Sequence, residues 1–124
     1  MKEILNDLIE NLKSNVPGFI AVSITDVSSG EAYESFTNNP DFDPNIASAY
    51  NLEVVKAKLK AIDALGLNEE IQDITITLSS QIHIINIAPS GTYFVYLAVD
   101  SKEANLGITK ALLNKYKAEL NKAL

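Results

Sequence analysis

The chain contains no cysteine and no arginine. Without cysteine there is no disulfide framework, no thiolate metal site and no thiol nucleophile. Without arginine, all ten basic residues are lysine. The planar guanidinium fork, the usual device for gripping carboxylate, phosphate or guanine at two points, is therefore missing. Any mechanism that needs an arginine finger from this chain is excluded. Long apolar runs are missing too: no stretch approaches the roughly 20 residues that span a bilayer. The opening Met1-Lys2-Glu3-Ile4 starts a charged amphipathic segment without a signal-peptide core. The expected location is cytoplasmic, with no membrane insertion.

What is present describes a folded globule. Of 124 residues, 47% are hydrophobic and 21% charged, which separates the chain from disordered sequences. Its length suits a single domain spanning 1–124 that buries roughly two-thirds of its unfolded surface. The formal charge of −6 argues against nucleic acid, since phosphate neutralisation needs clustered cations.

Periodicity predicts helix, two strands, helix, three strands, helix. From about Lys2 to Asn15, the residues Ile4, Leu5, Leu8, Ile9 and Leu12 form one helical stripe, and Pro17-Gly18 stops it. Phe19 to Val27 reads as a strand, Ser28-Ser29-Gly30 as a turn, and Glu31 to Phe36 as a partly polar return strand suited to a sheet edge. Thr37 to Asp43 is a loop. Asp43-Pro44 pairs an N-cap with a proline at the first helical position, and the helix it opens ends at Gly66. Ile71 to Leu78 alternates apolar with polar residues; Gln81 to Ile87 is the next strand. After the Pro89-Ser90-Gly91 turn, Tyr93 to Val99 is seven apolar residues in a row, as in a strand covered on both faces. The fold class is α+β: a five-stranded antiparallel sheet with helices on both faces, in the order α-β-β-α-β-β-β-α.

Asp100 and Glu103 carry the spacing of a capping box and predict that the last helix opens there. Asn105 and Gly107 then fall inside that helix. A glycine there costs about 1 kcal/mol relative to alanine and is worth keeping where another backbone comes close. Asn105 falls on the face of Ile108, Leu112 and Tyr116, where a buried amide should hydrogen-bond backbone at the strand–helix junction.

The middle helix has more apolar surface than one contact needs. Leu52, Val55, Leu59 and Ile62 form a bulky stripe. Ile46, Tyr50, Val54, Ala57, Ala61 and Ala64 form a second, smaller one. Asn51 and Lys58 separate the two on one side. Either a loop or the third helix covers the extra stripe within the monomer, or it packs against another chain, since alanines let helices approach closely. A symmetric dimer is the commonest such arrangement. The strand Ile74-Thr75-Ile76-Thr77-Leu78 has neither proline nor lysine to discourage pairing with a twin, should it be an edge.

Candidate chemistry is sparse. His83, the single histidine, lies between isoleucines on a strand, and its neighbours Gln81 and Ile85 offer neither nucleophile nor carboxylate. It reads as structural. Glu69-Glu70 and the Asp41/Asp43 pair lack the oxygen density of a calcium loop. Ser28-Ser29-Gly30 and Ser79-Ser80 lack a nucleophile-elbow frame. No phosphate-binding glycine loop appears. No cofactor and no metal are expected.

Three segments carry a family resemblance: Val16-Pro17-Gly18 before a hydrophobic strand; Ile74 to Leu78 followed by Ser80-Gln81-Ile82-His83-Ile84-Ile85; and Ala104-Asn105-Leu106-Gly107 at the head of the last helix. Together they resemble Roadblock/dynein light chain domains, including bacterial versions that partner small Ras-like GTPases. The order of elements fits over essentially the whole chain. The resemblance implies a non-enzymatic adaptor that dimerises through the middle helix and third strand and binds a Ras-like GTPase or another multi-protein complex. It makes Pro17, Gly18, His83, Asn105 and Gly107 structural positions. The alternative is a sensor domain of profilin or PAS type, holding a small ligand between sheet and helix.

Overall fold

The apolar run near the C-terminus, Tyr93–Asp100 (β5), is the centre of the sheet. In a computed structural model describing residues 2–124, it is flanked by Phe19–Asp26 (β1) on one side and Gln81–Ile87 (β4) on the other. Ala32–Thr37 (β2) and Asp73–Thr77 (β3) form the two edges, giving the order β2-β1-β5-β4-β3 with every pairing antiparallel. The helices are Lys2–Asn15 (α1), Pro44–Ala64 (α2) and Leu106–Leu120 (α3). This is the expected α+β architecture, element for element.

Alternation along β5 divides the interior into two cores. Tyr93, Val95, Leu97 and Val99 face one way, joining Val22, Ile24 and Ile84 beneath Leu5, Leu8 and Leu12 of α1 and Leu113 and Leu120 of α3. Phe94, Tyr96 and Ala98 face the other way, packing with Ile85 and Ile87 against Leu52 and Val55 of α2. Helices thus cover both faces, which is why β5 can be apolar throughout.

Caps set the helix ends. The Asp43 side chain accepts from the backbone N–H of Asn45 at 2.9 Å, with Pro44 opening α2 behind it. At the far end Gly66 takes φ +66°, and Leu67 N–H returns to Ile62 O at 3.1 Å, closing a Schellman motif.

The start of α3 corrects the sequence expectation. Asp100 does not open the helix: it still belongs to β5, its N–H donating to Gly18 O at 2.8 Å, while Ser101 N–H donates to Ser80 O at 3.1 Å. A backbone held between two neighbouring segments cannot turn into a helix at that point. The Asp100 carboxylate instead accepts from Lys102 N–H, and its carbonyl from Glu103 and Ala104, closing a turn. Asn105 is the N-cap, its Oδ1 accepting from Ile108 N–H at 3.1 Å. It is exposed rather than a buried mid-helix amide. The inner face of α3 is accordingly Thr109, Leu113, Tyr116 and Leu120, while Ile108 is exposed.

Gly107 is also exposed, and a Cβ there would meet only Asn105 Oδ1 at 3.5 Å, an ordinary contact. The close backbone approach lies at Gly18 instead. With φ at +73°, a Cβ on Gly18 would stand 2.9 Å from Asp100 O and 3.2 Å from Glu103 Cβ. The Pro17-Gly18 turn thus carries the chain from α1 into β1 directly against the end of β5. Replacing Gly18 by alanine combines left-handed strain with a backbone clash. At Gly66 (φ +66°) nothing lies within 4 Å, so alanine there meets the strain alone. Urea denaturation should show Gly18→Ala destabilised by about 2 kcal/mol or more, and Gly66→Ala by about 1 kcal/mol.

Candidate interaction surface

α2 lies on its sheet face by one stripe only. Leu52 and Val55 are buried, and Leu59 and Ile62 half-buried, on the sheet side. On the second stripe Ile46 is 59% and Tyr50 76% exposed, Ala57 and Ala64 are exposed, and Val54 and Ala61 are half-buried. Neither α3 nor α1 reaches it, because both lie beneath the opposite face of the sheet.

β3 is an edge strand, and Ile74 and Ile76 turn toward the α2 side. They lie opposite Ile85 and His83 of β4 and are half-buried. The α2 stripe, Ile74, Ile76 and His83 therefore share one face. Pro17 and Gly18 lie at the β1–β5 joint, and Asn105 and Gly107 at the head of α3, apart from that face.

His83 sits in a polar chain under the N-terminal half of α2. Its Nε2 is 2.8 Å from Gln81 Oε1, and its Nδ1 is 3.1 Å from the Tyr96 hydroxyl. An amide oxygen only accepts, so Nε2 carries the proton and Nδ1 accepts from Tyr96. Burial pushes the Tyr96 hydroxyl far above its ordinary range, which keeps it a donor, and Asn51 of α2 lies beside it. The imidazole stands edge-on to Tyr96 and to Phe42, with ring centres 5.3 and 6.0 Å apart. A second buried polar tie joins Thr25 of β1 to Ser48 of α2.

Several of these partners were hidden in the sequence. Asn51 divides the two stripes of α2 yet is buried, and Phe42 lies in the loop before α2. Tyr96 sat within an apolar run, where a tyrosine still needs a partner for its hydroxyl. That was the one available signal. No carboxylate belongs to this chain of contacts, and among the described residues no three His, Asp or Glu side chains converge on a point. The arrangement ties α2 to the sheet; it supplies no nucleophile and no base–acid pair.

Burial lowers the proton affinity of His83 below its ordinary value of 6.5. The folded chain keeps a neutral imidazole while the unfolded chain begins to charge, so protons accumulate preferentially on the unfolded state. The contribution of His83 to stability is complete above its unfolded pKa and declines as pH falls through and below that value. The urea midpoint should therefore drop between about pH 7.5 and pH 5.5, and His83→Gln should flatten that dependence. An equally steep pH dependence in the variant would assign the effect to other groups.

No protein-family model and no curated protein matches this sequence. Solved structures do resemble it. MglB of Myxococcus xanthus superposes with a TM-score of 0.85 at 16% identity, covering 98% of this chain and 87% of that one. A Roadblock/LC7 domain from Streptomyces avermitilis superposes at 0.80 with 13% identity, covering 94% and 93%. An MglB described as having a tetrameric arrangement superposes at 0.79 with 16% identity, covering 98% and 87%. At such identities the likeness is one of architecture: this chain has the fold of the Roadblock/LC7 domain and of MglB.

Proposed function

We propose that this chain is a non-enzymatic scaffold that pairs with a second copy through α2 and β3 and, as a dimer, regulates a small Ras-like GTPase. One observation carries this reading: α2 leaves Ile46 and Tyr50 mostly exposed on the face that also carries Ile74 and Ile76 of a free sheet edge. Burying a side chain of that size contributes about 1.5–3 kcal/mol, so a twofold contact doubling these residues is worth forming. The resemblance to Roadblock domains supports the GTPase as partner, and a neighbour of the same fold is described as tetrameric.

Lacking arginine, the chain would act on the GTPase by holding the partner's own switch residues in place. Its net charge of −6 would draw a basic patch on the partner during encounter. A ligand-holding sensor finds less support. The space between α2 and the sheet is filled by Leu52, Val55, Ile85, Phe94 and Tyr96, all buried.

Sedimentation at micromolar concentration should give a dimer. Ala57→Glu with Ala61→Glu should dissociate it, since an unpaired charge inside an interface costs about 3–5 kcal/mol. A monomeric wild type, or a double variant that stays dimeric, would remove the proposed interface. Association with a Ras-like GTPase encoded beside this chain should slow about tenfold between 50 and 500 mM salt. Absence of binding to either nucleotide state would remove the partner.

A further inference from the structure

The second sheet edge, β2, lies at the opposite side of the sheet from β3 and stays free in a dimer built on α2 and β3. Asn38 N–H donates to Ile20 O at 2.8 Å, which fixes the phase of the β1–β2 ladder. In an antiparallel pair, residues alternate between bonding their partner and pointing away from it. Phe36 and Glu34 therefore bond Val22 and Ile24, whereas the N–H and C=O groups of Ser35 and Thr37 point out of the sheet. β2 has neither proline nor lysine to block pairing at that edge.

Two open hollows, each of about 440 Å³, run along this edge between β2 and the start of α2. They share Ser35 and Asn45 and so form one groove. Its walls include Glu31 and Asp43, and no lysine lines either hollow; Glu34, opposite Ile24, presents its carboxylate along the same edge but on the α1 face. The Asp43 carboxylate is taken up in capping α2, but neither Glu31 nor Glu34 is ion-paired among the described residues. Lys13 lies over the Phe36 ring, on the α1 side of the strand.

We propose that β2 accepts an extended, lysine- or arginine-bearing segment of a partner protein as a sixth strand seated in this groove. Main-chain bonds to Ser35 and Thr37 would supply affinity, and Glu31 and Glu34 the preference for cationic side chains. A second copy of β2 is a poor occupant, because it would set the same carboxylates against one another. The six residues of β2 suit a segment of similar length.

The test uses the whole chain and a blocked hexapeptide of alternating lysine and valine, with glutamate–valine as the control. In amide NMR spectra the lysine peptide should shift the Ser35 and Thr37 signals and slow their hydrogen exchange; the glutamate peptide should not. Glu31→Lys with Glu34→Lys should weaken binding about tenfold. Ser35→Pro should abolish it while leaving the β1–β2 ladder intact, because that N–H is not part of the ladder. Should the proline variant not fold, the charge-reversed variant decides. The proposal is overturned if Ser35 and Thr37 do not respond, if the two peptides bind alike, if the response centres on Asp73 to Thr77, or if the charge-reversed variant binds undiminished. Because β2 and β3 are opposite edges, a failure here leaves the dimer proposal standing, and the reverse.

Discussion

The structure depends on one strand having no exposed side. β5 is paired along both edges and covered on both faces, so each of its side chains from Tyr93 to Val99 is buried. Two cores follow from its alternation, and each demands a roof: α1 and α3 together on one face, α2 alone on the other. The Gly18 contact secures this strand at its C-terminal end, where the backbone of the α1–β1 turn touches that of Asp100. No side chain larger than hydrogen fits between them.

The unequal roofing explains the character of the two faces. Two helices share the first, and the core beneath them is apolar apart from buried Asn86 and Thr109 and a polar rim. There Tyr93 donates to Asn121, Lys117 reaches Ile87 O, and Asp73 pairs with Lys110. Burial pushes the Tyr93 hydroxyl up to about 12, so it remains a donor. The second face has a single helix, and its roof is anchored by polar ties as well as by apolar contact. Thr25 bonds Ser48 of α2, and the Gln81–His83–Tyr96 chain lies beside Asn51, setting α2 over β1, β5 and β4. Directional bonds hold one orientation where grease alone would allow sliding. That leaves the far flank of α2 unused within the chain.

The sheet also ends differently at its two margins. β3 presents Ile74 and Ile76 beside His83, an apolar margin whose natural complement is another apolar surface. β2 presents outward backbone groups near Glu31 and Glu34, a margin whose complement is extended and cationic. One domain of this fold thus carries two chemically distinct edges, and partners of different kinds need not compete.

The sequence by itself determined what depends on neighbours in the chain. The stripe Leu5, Leu8, Ile9 and Leu12, the Asp43-Pro44 start, the Gly66 stop and the limits of Gln81–Ile87 are all products of periodicity and capping, which act over a few residues. The surplus stripe on α2 was legible for the same reason. Tertiary structure alone decided where α3 begins, because Asp100 and Asn105 both carry capping side chains and only the ties to Gly18 and Ser80 keep the first of them in the sheet. It alone brought Phe42, Asn51 and Tyr96 around His83, from segments up to 54 residues apart (96 less 42). Local sequence registers what a residue can bond; which partner arrives is settled by the packing of distant segments.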